Sequence, residues 1–142
     1  MYATGIRVSE VIKLRLSNII FELECLRVIG KGNKERMVYL NKACINAINN
    51  YLEVRPKEGI KDKDALFLSS VKKRISRRAI QQMLEVELKK AGISTRGITP
   101  HKLRHTAATL MYQYGEVDIR ALQKVLRTCK HIYNRNIYTY KQ

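Results

Sequence analysis

His101 and Arg104 stand three positions apart within the stretch Thr99 to His105. An imidazole that titrates near neutrality, next to a guanidinium that is always charged, is chemistry suited to a phosphate. The guanidinium fork matches the phosphate oxygens, and the ring can exchange a proton. Both side chains must project from one end of one element. Thr99 offers a hydroxyl for an N-cap, and Pro100 fits the first helical position, where its missing N–H is not needed. At about 100° and 1.5 Å per residue, His101, Arg104 and His105 share a face of the helix that begins there. Leu103, Ala107, Leu110, Met111 and Tyr114 supply an apolar stripe, and Gly115 is the expected stop.

His101 and His105, four apart, also form half of a zinc pattern. Lys102 replaces the carboxylate of a His-Glu-x-x-His helix, however, and no third ligand is evident. Neither a metal nor any other cofactor is expected, and His105 is read as a packing neighbour.

The wider composition agrees with a phosphate-bearing partner. Twenty-eight Lys and Arg against 12 Asp and Glu give a formal charge of +16 over 142 residues, spread along the whole chain. Ordinary soluble domains mix both signs more evenly, so the excess points to nucleic acid. No stretch gathers its lysines opposite a large apolar face, which argues against a membrane surface. With no Trp and 2 Phe there is no evident stacking platform for single-stranded RNA. Cys25, Cys44 and Cys129 are too few and too scattered for a disulfide framework or a Cys-x-x-Cys site, and they fit a reducing cytoplasm. No signal segment or membrane span is read, and an apolar share of 45% suits one globular domain.

The elements that must position these residues can be placed in outline. Tyr2 to Ser17 has mostly helical spacing, with Arg7, Glu10 and Lys13 together on its polar face. Cys25 to Ile29 and Arg36 to Leu40 read as a β-hairpin around the glycine-rich tip Gly30 to Lys34, which carries Lys31 and Lys34. Asn41 caps a helix to about Leu52, with Ala43, Cys44, Ala47, Ile48 and Tyr51 or Leu52 facing inward, and Pro56 lies beyond it. Ala65 to Leu68 reads as a short extended run. Ser76 caps a helix whose inward face is Ile80, Met83 or Leu84, Glu87 or Leu88, and Ala91. Around its start lie Lys72, Lys73, Arg74, Arg77 and Arg78. Positive charge there opposes the helix dipole, which favours a bound anion such as a DNA backbone; a solvated loop tip is the other reading. Asp118 caps a further short helix carrying Ile119, Leu122, Val125 and Leu126. The fold class is mainly α with a small antiparallel β-sheet (α+β).

The stretches Gly5 to Glu10, Gly30 to Arg36, Thr99 to His105 and Asn136 to Thr139, in this order and spacing, resemble the catalytic domain of tyrosine recombinases, the phage integrase family. The Xer-like recombinases and the prophage or transposon integrases are the nearest likeness. Each stretch alone is weak, and together they span nearly the whole chain. The resemblance implies metal-free, site-specific breakage and rejoining of double-stranded DNA through a 3′-phosphotyrosine. It makes Arg7 and Arg104 the phosphate-binding arginines, His101 the group that assists proton removal, and Lys31 the acid for the departing 5′ oxygen. Tyr138 becomes the nucleophile and Glu10 a buttress. Among 8 tyrosines, Tyr133 and Tyr140 compete with Tyr138. Lys34, Lys72, Lys73, Arg74, Arg77, Arg78 and Lys102 are the expected DNA contacts. The family also implies a tetramer of the full-length form on DNA and a bacterial, nucleoid-associated location.

Cys129, nine residues before Tyr138, occupies the place where the family usually has a histidine or tryptophan, and His131 lies two positions later. Losing that donor would slow cleavage about a hundredfold, by comparison with oxyanion-hole deletions. Against the family pattern, residues 1–142 read as a single catalytic domain without the N-terminal DNA-clamping domain or the C-terminal exchange tail. A catalytically impaired DNA-binding remnant therefore stands as the alternative.

Overall fold

The structure is a computed structural model, and it describes residues 4–114. In chain order come helix α1 (Val8–Lys13), strands β1 (Ile19–Ile20), β2 (Cys25–Ile29) and β3 (Glu35–Tyr39), then helices α2 (Lys42–Val54), α3 (Arg77–Lys90) and α4 (Pro100–Tyr114). The helix-rich chain with one small antiparallel sheet is the architecture expected from the sequence.

The opening helix is much shorter than its periodicity predicts. Arg7 is its N-cap, in extended conformation, and not a member of the helical face with Glu10 and Lys13. At the other end Leu14 leaves the helix, is buried, and accepts the Leu66 N–H through its carbonyl at 3.0 Å. The Leu16 N–H then donates to Asp64, and Arg15 bridges Ala65. Pairing with the 64–66 segment takes the backbone groups that a longer helix would have used. The run expected over Ala65 to Leu68 is not a strand of the sheet: isolated bridges hold its two ends, Ala65 to Arg15 and Leu68 to Arg74, and the chain bends at Leu66 and Phe67 between them.

The sheet has the order β1-β2-β3, with Val28 opposite Arg36 and Leu26 opposite Val38. The hairpin matches the expected strands within a residue, whereas β1 was not foreseen because two residues carry no readable alternation. Leu26, Val28 and Val38 point into the core with Ile6, Leu14, Leu40, Ile48 and Leu66. Arg36 shares their side of the sheet, since residues two apart on a strand face the same way.

The remaining caps form as expected. Asn41 accepts from the Cys44 N–H at 2.8 Å, Ser76 from Ala79 at 3.1 Å, and Thr99 from Lys102 at 3.2 Å. The inward faces need correction. On α2, Cys44, Ile48 and Leu52 pack against the core as expected and Ile45 joins them, whereas Ala43 and Ala47 are exposed. On α3, Ile80 is buried with Leu84 and Leu88 half-buried, while Met83 and Ala91 are exposed. On α4, Ala107 and Ala108 are buried and Tyr114 is 80% exposed. Small residues there let the helix approach its neighbours closely. Among the described residues, no helix is long and apolar enough to cross a membrane.

Candidate active site

Glu10 sits at the centre of the charged residues near α1. It is 4% exposed, and its two carboxylate oxygens take both terminal nitrogens of Arg36, at 2.7 and 2.9 Å. The Arg7 N–H donates to the same carboxylate at 2.8 Å, and the Arg7 guanidinium lies 3.6 Å from it. Burial pushes the Glu10 pKa up. The Arg36 hydrogen bonds, the Arg7 N–H and the charges of both arginines together outweigh burial and leave it below the usual glutamate value. A buried carboxylate is tolerable here because both of its oxygens are engaged by cations or N–H donors. The sequence reading named Glu10 and Arg7 but missed Arg36. Its signal was the strand alternation, which puts an arginine among core-facing valines.

The hairpin tip follows directly. The Gly30 N–H donates to the Lys34 carbonyl at 2.8 Å, and Lys31–Asn33 makes a single 3-10 turn in which Gly32 (φ 72°) and Asn33 (φ 57°) are left-handed. Gly32 accommodates that conformation without the steric cost other residues meet. Lys31 and Lys34 are both exposed. Arg7, Glu10, Lys31, Lys34 and Arg36 line one open cleft of about 880 Å³. Two distant expected site residues, Arg7 and Lys31, are thus brought together.

Helix α4 supplies the other part. Arg104 is 4% exposed and donates from Nε to the Gly5 carbonyl. Gly5 has φ 66°, a left-handed conformation that suits glycine, and it lies two residues before Arg7. Arg104 therefore anchors its helix to the segment that leads into the Arg7 cap. The sequence reading placed Arg104 on an exposed end with His101, whereas only His101 is exposed. His101 and His105 approach with their Nε2 atoms 2.6 Å apart and their rings edge to face. One ring donates and the other accepts. Desolvation first, then the positive charges of His101 and Arg104, hold the His105 pKa below the usual histidine value.

The expected basic surface divides into different roles. Lys72, Lys73, Arg77, Arg78 and Lys102 are exposed. Arg74 is drawn inward: it pairs with Asp62 at 2.8 Å and donates to the carbonyls of Ile12 and Leu14 at 2.8 and 3.2 Å. Its guanidinium closes the end of α1 and ties that helix to the 62–74 loop. Lys72 donates to the Glu58 carbonyl at 3.0 Å. No group of three or more potential metal ligands occurs among the described residues. Gly115, the helix expected from Asp118, Cys129, His131, Tyr133, Tyr138 and Tyr140 lie outside the described residues.

An arginine-capped helix, a lysine-tipped hairpin and a His-x-x-Arg helix on this fold define a class. Residues 1–141 match the phage integrase family, and the chain belongs to it. Among particular relatives, tyrosine recombinase XerC of Caldanaerobacter subterraneus subsp. tengcongensis is 54% identical over 136 residues, covering 96% of this chain and 38% of that protein. The crystal structure of XerA recombinase superposes with a TM-score of 0.82 at 34% identity, over 99% of this chain and 49% of that one. XerH recombinase bound to palindromic difH substrate, a post-cleavage complex, gives a TM-score of 0.77 at 27% identity, over 97% of this chain and 39% of that one. The chain thus spans less than half the length of each of these relatives.

Proposed function

We propose that the chain is the catalytic domain of a site-specific DNA recombinase that cuts and rejoins double-stranded DNA through a covalent 3′-phosphotyrosine. The observation that carries this reading is the Arg104 to Gly5 hydrogen bond, which fastens the His-x-x-Arg helix to the strand of backbone entering Arg7. The Arg7 and Arg104 guanidinium groups bind the non-bridging oxygens of the scissile phosphate, where negative charge grows in the transition state. The Tyr138 phenol attacks phosphorus while His101 assists removal of its proton, and Lys31 protonates the 5′ oxygen as the P–O5′ bond breaks. The phosphotyrosyl bond keeps the energy of the broken phosphodiester, so the 5′ hydroxyl of a second strand can reverse the step without ATP.

The open cleft beside Lys31 and Lys34, the +16 charge and the XerH complex with difH support duplex DNA as the partner. Residues 1–142 act as one catalytic domain, and the full-length form works as a tetramer on DNA in the bacterial cytoplasm, at the nucleoid. Lys34, Lys72, Lys73, Arg77, Arg78 and Lys102 are the proposed backbone contacts. Cys129, in the place where the family usually has histidine or tryptophan, favours one second reading, a DNA-binding protein with impaired cleavage.

The test is a nicked suicide duplex carrying the recombination site, followed by a denaturing gel. A covalent adduct that disappears in Tyr138→Phe and persists in Tyr133→Phe and Tyr140→Phe supports the enzyme. Salt-sensitive duplex binding without any adduct selects the impaired form. Equal adduct from wild type and Tyr138→Phe overturns the assignment of the nucleophile.

A further inference from the structure

We propose that Arg36 is a positioning residue for the phosphate site: through its two-pronged contact with Glu10 it fixes Arg7 and the hairpin that carries Lys31 in one orientation. The inference rests on the DNA-recombinase reading and adds a residue to it.

Three features carry the argument. First, Arg36 spends both terminal nitrogens on Glu10, at 2.7 and 2.9 Å, and its side chain is 9% exposed. A guanidinium held in this way is not presented to a ligand, which separates it from a DNA contact. Second, Glu10 is shared. The carboxylate gripped by Arg36 also accepts the Arg7 N–H at 2.8 Å and faces the Arg7 guanidinium at 3.6 Å. Moving Arg36 moves the oxygens against which the Arg7 cap is built. Third, the contact lies at the tip end of the hairpin. A Cβ on Gly30 would lie 3.4 Å from both the Arg36 Nη1 and the Glu10 Oε1, so the pair packs directly on the residue that opens the Lys31 turn.

The bond therefore joins residues 26 positions apart at the point where α1 and the hairpin meet. It adds a directional contact to the strand ladder and the apolar packing that also hold the hairpin in place. Apolar contacts are weakly directional, whereas a bidentate ion pair fixes both distance and plane. The Nε of Arg36 is buried with no acceptor among the described residues, so the terminal nitrogens alone set this orientation. Lysine keeps the charge but not the fork, which makes Arg36→Lys the informative substitution.

The experiment is a double-mutant cycle on affinity for a mixed-sequence DNA duplex, with wild type, Arg7→Ala, Arg36→Lys and the double variant at one salt concentration. If Arg36 acts through Arg7, the loss caused by Arg7→Ala shrinks at least about threefold in the Arg36→Lys background, a coupling typical of residues that share a partner. Arg36→Lys combined with Arg78→Ala should be multiplicative within about twofold. A second readout is independent of DNA: in ¹⁵N-arginine spectra, Arg36→Lys shifts the Arg7 side-chain resonance and leaves that of Arg78 in place. Multiplicative losses for the Arg7 and Arg36 pair, or an unmoved Arg7 resonance, overturn the proposal. A wild-type chain that fails to bind duplex DNA sinks the recombinase reading instead, and the spectra still decide the role of Arg36. Should Arg36→Lys fail to fold, Glu10→Gln enters the same cycle and the same spectra in its place.

Discussion

The Nε–H of Arg104 donates to the carbonyl of Gly5, a residue 99 positions earlier in the chain, and both partners are buried. Arginine carries a donor on Nε that points sideways from its two terminal nitrogens, and it is this donor that grips Gly5. Lysine has a single ammonium and no equivalent of that sideways donor. Arg104→Lys is expected to lower unfolding free energy by about 1–3 kcal/mol, the cost of a buried hydrogen bond to a charged group. It should also reduce covalent adduct formation about a hundredfold or more. Urea denaturation and the suicide-substrate gel measure the two effects. A variant with unchanged stability would mean that the Gly5 contact contributes nothing.

Glu10 gives a pH signature of a particular sign. Its pKa lies below the usual value in the folded protein, so at acid pH the unfolded chain binds more protons than the folded one. The stabilisation from its ion pair is fully present above the unfolded glutamate pKa near 4.3 and is lost as pH falls through the lower folded value. Glu10→Gln should remove that part of the acid limb in a plot of stability against pH. At neutral pH the same variant leaves the Arg36 charge buried beside a neutral amide, costing about 3 kcal/mol. Thermal melts from pH 3 to pH 7 on both proteins test this, and parallel curves below about pH 4.5 would refute it.

Much of the architecture was legible because local chemistry and tertiary context agreed. Asn41, Ser76 and Thr99 are side chains with an acceptor oxygen ahead of helical runs, and all three cap as read. The hairpin was equally clear from its glycine-rich tip. The failures fall where long-range partners override periodicity. Leu14 and Leu16 continue a helical pattern, but the 64–66 backbone captures them. Arg36 looks like any charged strand residue until the register places it beside Glu10. Arg74 and its cationic neighbours form one charge run in sequence, and nothing local says which of them has Asp62 and two carbonyls within reach.

That division of the charge run makes a second pair of substitutions informative. Arg74→Met takes a donor away from the Ile12 and Leu14 carbonyls and breaks the Asp62 pair, and a stability loss of about 2 kcal/mol is expected. Its effect on the salt dependence of DNA binding should be small. Arg78→Ala, exposed on α3, should behave in the opposite way. It leaves the melting temperature nearly unchanged and lowers the slope of log affinity against log salt by about 0.9, the share of one phosphate contact. Denaturation curves and a salt titration with duplex DNA separate the two. A full unit of slope lost in Arg74→Met would return that residue to the DNA surface.

Lys31 is the residue whose proposed role can be tested by altering the DNA rather than the protein. It lies on an exposed turn and lines the cleft with Arg7. If its ammonium supplies the proton to the 5′ oxygen, Lys31→Ala blocks departure of a poor leaving group while leaving attack by the tyrosine intact. Replacing the bridging 5′ oxygen by sulfur creates a leaving group that needs no proton, because a thiolate is far more stable than an alkoxide. Lys31→Ala should then be at least about a hundredfold slower than wild type on ordinary DNA, the usual range for removing a general acid. On the sulfur-bridged duplex it should come within about tenfold of wild type. Arg104→Ala should remain slow on both, since charge on the non-bridging oxygens still has to be met. Single-turnover rates on the two duplexes decide the matter. A Lys31→Ala defect that sulfur does not relieve would show that this lysine binds the backbone and donates no proton.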